Sequence, residues 1–106
     1  MAVTSTPTYK ASGVVHMENG SFTSDGGIAT VVLGYLPQRF EVVNSTDTIL
    51  WEKNAGMAAA NCVKQVAAGT TTIDTGSAIL FNSDGTVTVS TTLCGTSKAI
   101  SWVAEG

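Results

Sequence analysis

Short β-branched segments of period two, separated by turn signals that contain Gly, Asn or Asp, fill most of this 106-residue chain. Residues 86–90 show the pattern best, because two valines fall on one side of the segment and two threonines and a serine fall on the other. Residues 54–61 are the one helix-friendly stretch, and they are too short for more than a helical turn or a loop. The turn spacing predicts an all-β fold: a small single-domain β-sandwich, jelly roll or barrel of about seven to nine short antiparallel strands.

Individual segments make this expectation specific. Asn19-Gly20 predicts a hairpin turn, and Asp84-Gly85 predicts a second one between residues 78–82 and 86–90. The nearly continuous apolar run at residues 28–35 predicts a strand that is buried on both faces. The expected core consists of Val31, Phe40, Val42, Trp51, Leu80, Val87, Val89 and Trp102.

The two ends of the chain differ in character. Residues 1–10 are rich in Thr and Ser and contain Pro7, which predicts a mobile N-terminal arm or an early edge segment. Residues 11–106 form a single β domain in this interpretation. The N-terminus lacks the basic start and apolar core of a signal peptide, and no apolar run approaches the roughly 20 residues that span a bilayer. We therefore expect a protein of the producing cell's cytoplasm that does not bind membranes.

The charge content is low. Charged residues make up 12% of the chain, against roughly 25% in an average protein, and the net charge is −3. Sixteen Thr and ten Ser take their place. The four Lys and one Arg are dispersed, so no basic patch exists for binding nucleic acid. Placed on strands, the hydroxyl residues predict a neutral, hydrogen-bonding surface that suits contact with other proteins.

Catalytic and metal-binding patterns are missing. His16 is the single histidine, it lies between Val15 and Met17, and no G-x-S-x-G motif accompanies it. Cys62 and Cys94 have no metal-ligand spacing and are expected to be buried free thiols. Turn-like neighbours surround four aspartates, which favours hydrogen bonds to the local backbone over calcium binding: Asp25, Asp47, Asp74 and Asp84. We expect no metal, no cofactor and no small-molecule substrate.

One pair of carboxylates could in principle cleave glycosides. Glu41 and Glu52 lie on predicted adjacent strands. The simpler interpretation makes them solvated strand residues, with Arg39 and Lys53 as exposed cross-strand partners. A hydrolase built on this pair or on His16 is the least favoured function.

The order of several segments resembles small virion proteins of tailed bacteriophages. These segments are GYLPQRFEVVN (34–44), TILWE (48–52), Met57, VAAGT (66–70) and ISWVA (100–104). The resemblance implies a capsid decoration or cement protein, without enzymatic activity, that binds the outside of the assembled shell and stabilises it. Its partner would be the major capsid protein, with homo-oligomers on the capsid surface of the virion. The resemblance assigns no residues to capsid contacts.

An alternative function remains open. A carbohydrate- or receptor-binding module of a phage tail or fibre would use aromatic side chains as stacking platforms. The candidates are Trp51, Trp102, Tyr9 and Tyr35. Both tryptophans lie within apolar strands, which favours core packing over sugar binding.

Overall fold

The computed structural model describes residues 2–6, 9, 10 and 17–106. Within these ranges the chain forms eleven strands and one helical turn, α1 (Thr91–Cys94). The strands are β1 (Ala2–Ser5), β2 (Tyr9–Lys10), β3 (Met17–Asp25), β4 (Ile28–Val32), β5 (Arg39–Asn44), β6 (Ile49–Asn54), β7 (Cys62–Gln65), β8 (Thr71–Asp74), β9 (Ile79–Phe81), β10 (Thr86–Val89) and β11 (Thr96–Glu105). The expected seven to nine strands correspond to β3–β11, and two more come from the N-terminal segment.

The strands form two sheets that pack face to face. Sheet A has the order β1-β4-β10-β9, and sheet B has the order β2-β3-β11-β5-β6-β7-β8. Every pair is antiparallel except β1 and β4, which run parallel. One buried apolar cluster draws side chains from the inner faces of both sheets. The all-β prediction is therefore confirmed, in the form of a sandwich.

The core matches the expected residues with one exception. Seven of the eight are fully buried, but Leu80 is only half-buried. Leu80 pairs with Thr88 on the outer side of sheet A, and its neighbour Ile79 takes the inward position opposite Val89. The prediction for Leu80 is wrong because successive side chains of a strand point to opposite faces, and the register of β9 places Ile79 inside.

The Asn19-Gly20 hairpin prediction is also wrong. Both residues lie within the continuous strand β3, where Asn19 pairs with Val103 and Gly20 with Trp102 of β11. A Cβ atom on Gly20 would lie 2.7 Å from Cζ2 of Trp102. Gly20 thus serves the close approach of an indole ring, rather than a turn.

The prediction that the strand at residues 28–35 is buried on both faces is wrong for β4. Ala29 and Val31 are buried, whereas Ile28 is 46% exposed and Val32 is 39% exposed. The strand belongs to a sheet that is covered on one side only, so its outward residues stay in solvent although they are apolar.

The N-terminal segment contains edge strands. β1 pairs with β4, and β2 pairs with β3. Nε1 of Trp102 donates a buried hydrogen bond of 2.9 Å to Oγ of Ser5. Of the two predictions for residues 1–10, a mobile arm or an early edge segment, Ala2–Ser5 matches the edge segment. Residues 1, 7 and 8 lie outside the described residues.

Turn chemistry follows the sequence at several loops. The β9–β10 hairpin forms as predicted, with Gly85 at a φ of 84°. Carboxylate oxygens of Asp25, Asp74 and Asp84 accept hydrogen bonds from the backbone N–H two residues ahead. The carboxylates of these three aspartates thus form hydrogen bonds with the backbone of their own turns.

Candidate protein-binding face

The outer side of sheet A presents threonine and aliphatic side chains. Thr4, Thr30, Thr88 and Leu80 lie opposite one another across the four strands. Ile28, Val32 and Thr86 point to the same side. We call this set of residues the threonine face: Thr4, Ile28, Thr30, Val32, Leu80, Thr86 and Thr88.

No charged residue occurs in the four strands of sheet A. Nδ2 of Asn82 donates hydrogen bonds to Oγ1 of Thr86 at 3.1 Å and to Oγ1 of Thr88 at 2.8 Å. Thr86 in turn donates its hydroxyl to Asp84 at 2.6 Å and thereby lowers the pKa of that carboxyl. The hydroxyls at this end of the face are thus held in fixed orientations.

The outer side of sheet B carries a charged cluster instead. The guanidinium of Arg39 contacts Glu41, Glu52 and Glu105, each at 2.8 Å. Its hydrogen bond to Glu52 is the largest cause that raises the pKa of Arg39. Glu41 and Glu52 lie on adjacent strands, as the sequence predicts, and the register of β5 and β6 places them directly opposite each other. Because both carboxylates bind the same guanidinium, the arrangement is that of a half-exposed ion-pair network.

The environment of Lys53 differs from the one that the sequence predicts. The prediction of an exposed partner of the glutamates is wrong for Lys53, because this residue lies on the inner face of sheet B and is 3% exposed. Its Nζ donates to the carbonyl oxygens of Ala58, Ala59 and Asn61 at 2.9, 3.2 and 2.7 Å. Burial lowers the pKa of Lys53. This lysine fixes the β6–β7 connection, which forms turns without a helix.

Both tryptophans among the candidate stacking residues are buried, whereas Tyr35 is half-buried. Trp51 is 1% exposed and Trp102 is 2% exposed. Trp102 stacks on Phe40 with ring centroids 5.8 Å apart, and the ammonium of Lys64 lies 4.8 Å from the ring centroid of Trp51. The prediction of core packing is confirmed for both tryptophans. The side chain of Tyr9 lies outside the described residues.

Sequence reasoning missed a buried carboxylate at one end of the sandwich. Glu18 is fully buried, and neither carboxylate oxygen has a hydrogen-bond partner among the described residues. Burial, followed by the charges of Glu18 and Glu105, raises the pKa of the half-buried Tyr35 to about 12. Alternation in β3 would have indicated the inward position, since Glu18 and Gly20 share a face.

The remaining candidates have simple environments. Cys62 and Cys94 are free and buried, as predicted, and burial raises the pKa of each thiol to about 11. His16 lies outside the described residues. The described part of the chain contains no group of three potential metal ligands. No helix in that part is long and apolar enough to cross a membrane.

A shallow groove of about 380 Å³ lies on the outer side of sheet B, among β5, β6, the end of β7 and the turn that follows β7. Val43, Leu50 and Val66 line it, and no titratable group does. The lining of this groove therefore carries no charge. Comparison with known proteins gives no matching family model, no matching curated protein and no matching solved structure.

Proposed function

We propose that this chain is a non-enzymatic structural protein of a tailed-bacteriophage virion, which binds the outer surface of the capsid and stabilises it. The observation that carries the proposal is the uncharged threonine face, with the exposed aliphatic side chains of Ile28 and Val32. The sequence resemblance supplies the kind of particle, and the face supplies a surface that suits contact with protein.

The composition of this face fits a protein interface in energetic terms. Buried interface cores are depleted of charged residues, because removing a charge from water is costly. The threonine hydroxyls can exchange water for hydrogen bonds to a partner, while Ile28 and Val32 lose exposed apolar area. The Arg39 cluster lies on the opposite side and would remain in solvent.

The partner in this proposal is the major capsid protein, bound at many equivalent sites. Contacts between neighbouring copies would raise the effective affinity of each copy for the shell. Synthesis in the bacterial cytoplasm agrees with two free, buried thiols. The alternative of a carbohydrate-binding module loses its two tryptophan platforms to the core.

Binding to purified heads that lack this protein tests the proposal. We expect the full chain to bind intact heads, with a copy number comparable to that of the major capsid protein. Val32→Lys places a charge in the threonine face and should weaken binding at least tenfold, about 1.4 kcal/mol. Met17→Lys is the matched control, because Met17 is 42% exposed and lies beside the Arg39 cluster, opposite Glu105.

Two results would overturn the proposal. One is a copy number of only a few per particle, which indicates a neck or tail position. The other is equal binding of Val32→Lys and the wild-type chain, which removes the threonine face from the contact. Quantitative mass spectrometry of the source particle provides the first measurement, and cosedimentation with heads provides the second.

A further inference from the structure

Strand β8 ends sheet B with an unprotected edge. Its residues Thr71, Thr72 and Ile73 are exposed, and Ile73 is 56% exposed. The strand contains no Pro and no Lys, and its one charged residue, Asp74, lies at the end. Natural edge strands are usually protected by a Pro, a Lys, a bulge or a covering segment, because their free N–H and C=O groups can pair with another strand.

The other described edges offer less. β9 has three residues and β2 has two. β1 has four, but it lies against β3, and its Ser5 accepts a hydrogen bond from Trp102. Strand β8 is therefore the described edge with the longest free backbone.

The direction of the free groups follows from the hairpin. The N–H of Val66 donates to the carbonyl of Thr70 at 3.2 Å, and Lys64 pairs with Thr72. In an antiparallel ladder, the residues that bond to the neighbouring strand alternate with residues that face away. The N–H and C=O groups of Thr71 and Ile73 thus point away from β7. Outside the sheet ladders, no backbone hydrogen bond of the described residues ends on either of them.

We propose that two copies of this chain pair through β8, antiparallel, about a twofold axis at Thr72. In this register Thr71 of one copy lies opposite Ile73 of the other, and each of these pairs exchanges two hydrogen bonds. Asp74 of each copy lies opposite the partner's Thr70, so no like charges meet. The two seven-stranded sheets become one continuous sheet, and each exposed Ile73 packs beside a threonine methyl group.

A second copy is the occupant because the edge is complementary to itself. Its outward groups are spaced at i and i+2, and the twofold operation places donors on acceptors without a charge conflict. Such a short contact buries less area than a standard interface, so we expect a weak, concentration-dependent dimer. This inference concerns self-association and does not depend on the capsid proposal.

Disulfide trapping tests the register. At the twofold axis, the two copies of residue 72 form a non-hydrogen-bonded pair with Cα atoms about 4.5 Å apart, which a disulfide spans. We expect Thr72→Cys to form a covalent dimer under mild oxidation, while the native thiols stay buried. Ser83→Cys, at an exposed position in the β9–β10 turn, is the matched control and should stay monomeric.

A second change tests the hydrogen bonds. Adding Ile73→Pro to Thr72→Cys removes an outward donor from each copy and none from the β7–β8 ladder. We expect crosslinking to fall about tenfold or more, as loss of two hydrogen bonds implies. Ile73→Lys, which keeps the N–H donor and adds a charge to the edge of each copy, is the second variant and should also lower crosslinking. Circular dichroism checks that both variants fold. The proposal would be overturned if crosslinking were equal at positions 72 and 83. It would also be overturned if crosslinking at position 72 were unchanged in both Ile73 variants.

Discussion

The two outer faces of this sandwich are built from the same alternating strands and differ in charge. The threonine face of sheet A has no charged residue, whereas the opposite face gathers Arg39 with Glu41, Glu52 and Glu105. The low charge content of the chain is therefore unevenly distributed. Placing charges together on one side leaves the other side cheap to desolvate, which is the property that a protein-binding surface needs.

Both faces depend on one shared core, and removing one of its two tryptophan side chains should have the largest effect on stability. Trp102 is buried between the sheets, stacks on Phe40 and donates to Ser5 of β1. We expect Trp102→Ala to lower the free energy of unfolding by about 3–5 kcal/mol. Urea unfolding followed by circular dichroism measures the change. A loss below about 1 kcal/mol would show that the two sheets do not share this core.

A smaller steric change probes the same contact from β3. The Cβ of Gly20→Ala would lie 2.7 and 2.9 Å from two atoms of the Trp102 ring, so the indole must move. We expect a destabilisation of about 1–3 kcal/mol, typical of overpacking. Ser21→Ala, on the exposed side of the same strand, should stay within about 0.5 kcal/mol of wild type. Thermal unfolding of the two variants side by side distinguishes packing from strand propensity.

The charged face should respond to loss of its central cation. Arg39→Gln leaves Glu41 and Glu52 directly opposite each other without a counter-charge. Since these side chains are partly exposed and screened, we expect a cost of about 1 kcal/mol, which shrinks in 1 M salt. Lys98→Gln, which breaks the separate pair with Asp47, is the control and should cost less than about 0.5 kcal/mol. A cost for Arg39→Gln that salt does not reduce would contradict the like-charge explanation.

The sequence predicts the class of fold and most of the core, because period-two alternation and turn residues are local signals. It misplaces Gly20, since Asn-Gly looks like a turn until the indole of Trp102 is placed against it. It misplaces Lys53 for a similar reason: three carbonyl groups of the following turns compensate its burial. The contact of Gly20 with Trp102 joins residues that are distant in the sequence, and the contacts of Lys53 depend on how the β6–β7 turns fold back over the lysine.

The threonine face is hidden in the sequence by the run at residues 28–35. A continuous apolar run predicts burial on both sides, and the composition of β4 does not show that sheet A lacks a second covering layer. The outward positions of Ile28 and Val32 follow from the pairing of β4 with β1 and β10. The candidate site thus depends on topology, which the local pattern does not contain.

The smallest expected effect on stability lies on this face. Val32→Lys replaces a side chain that is 39% exposed, and we expect it to change the free energy of unfolding by less than about 0.5 kcal/mol. Val31→Ala, one residue earlier and fully buried, should cost about 2 kcal/mol because it opens a cavity in the core. Urea titration of both variants provides the measurement.

This contrast separates folding from binding within one strand. If Val32→Lys unfolds the chain as readily as Val31→Ala, the outward side of β4 contributes to the core and the division between the two faces fails. If it leaves stability unchanged, the exposed aliphatic side chains of β4 add nothing to the isolated fold. An apolar side chain that is exposed to water and adds nothing to the stability of the fold can still add to the affinity for a partner, because the contact removes it from water. Under the capsid-binding proposal, the same variant should then lose affinity for the heads, because the proposed contact would bury an ammonium group where an isopropyl group fits.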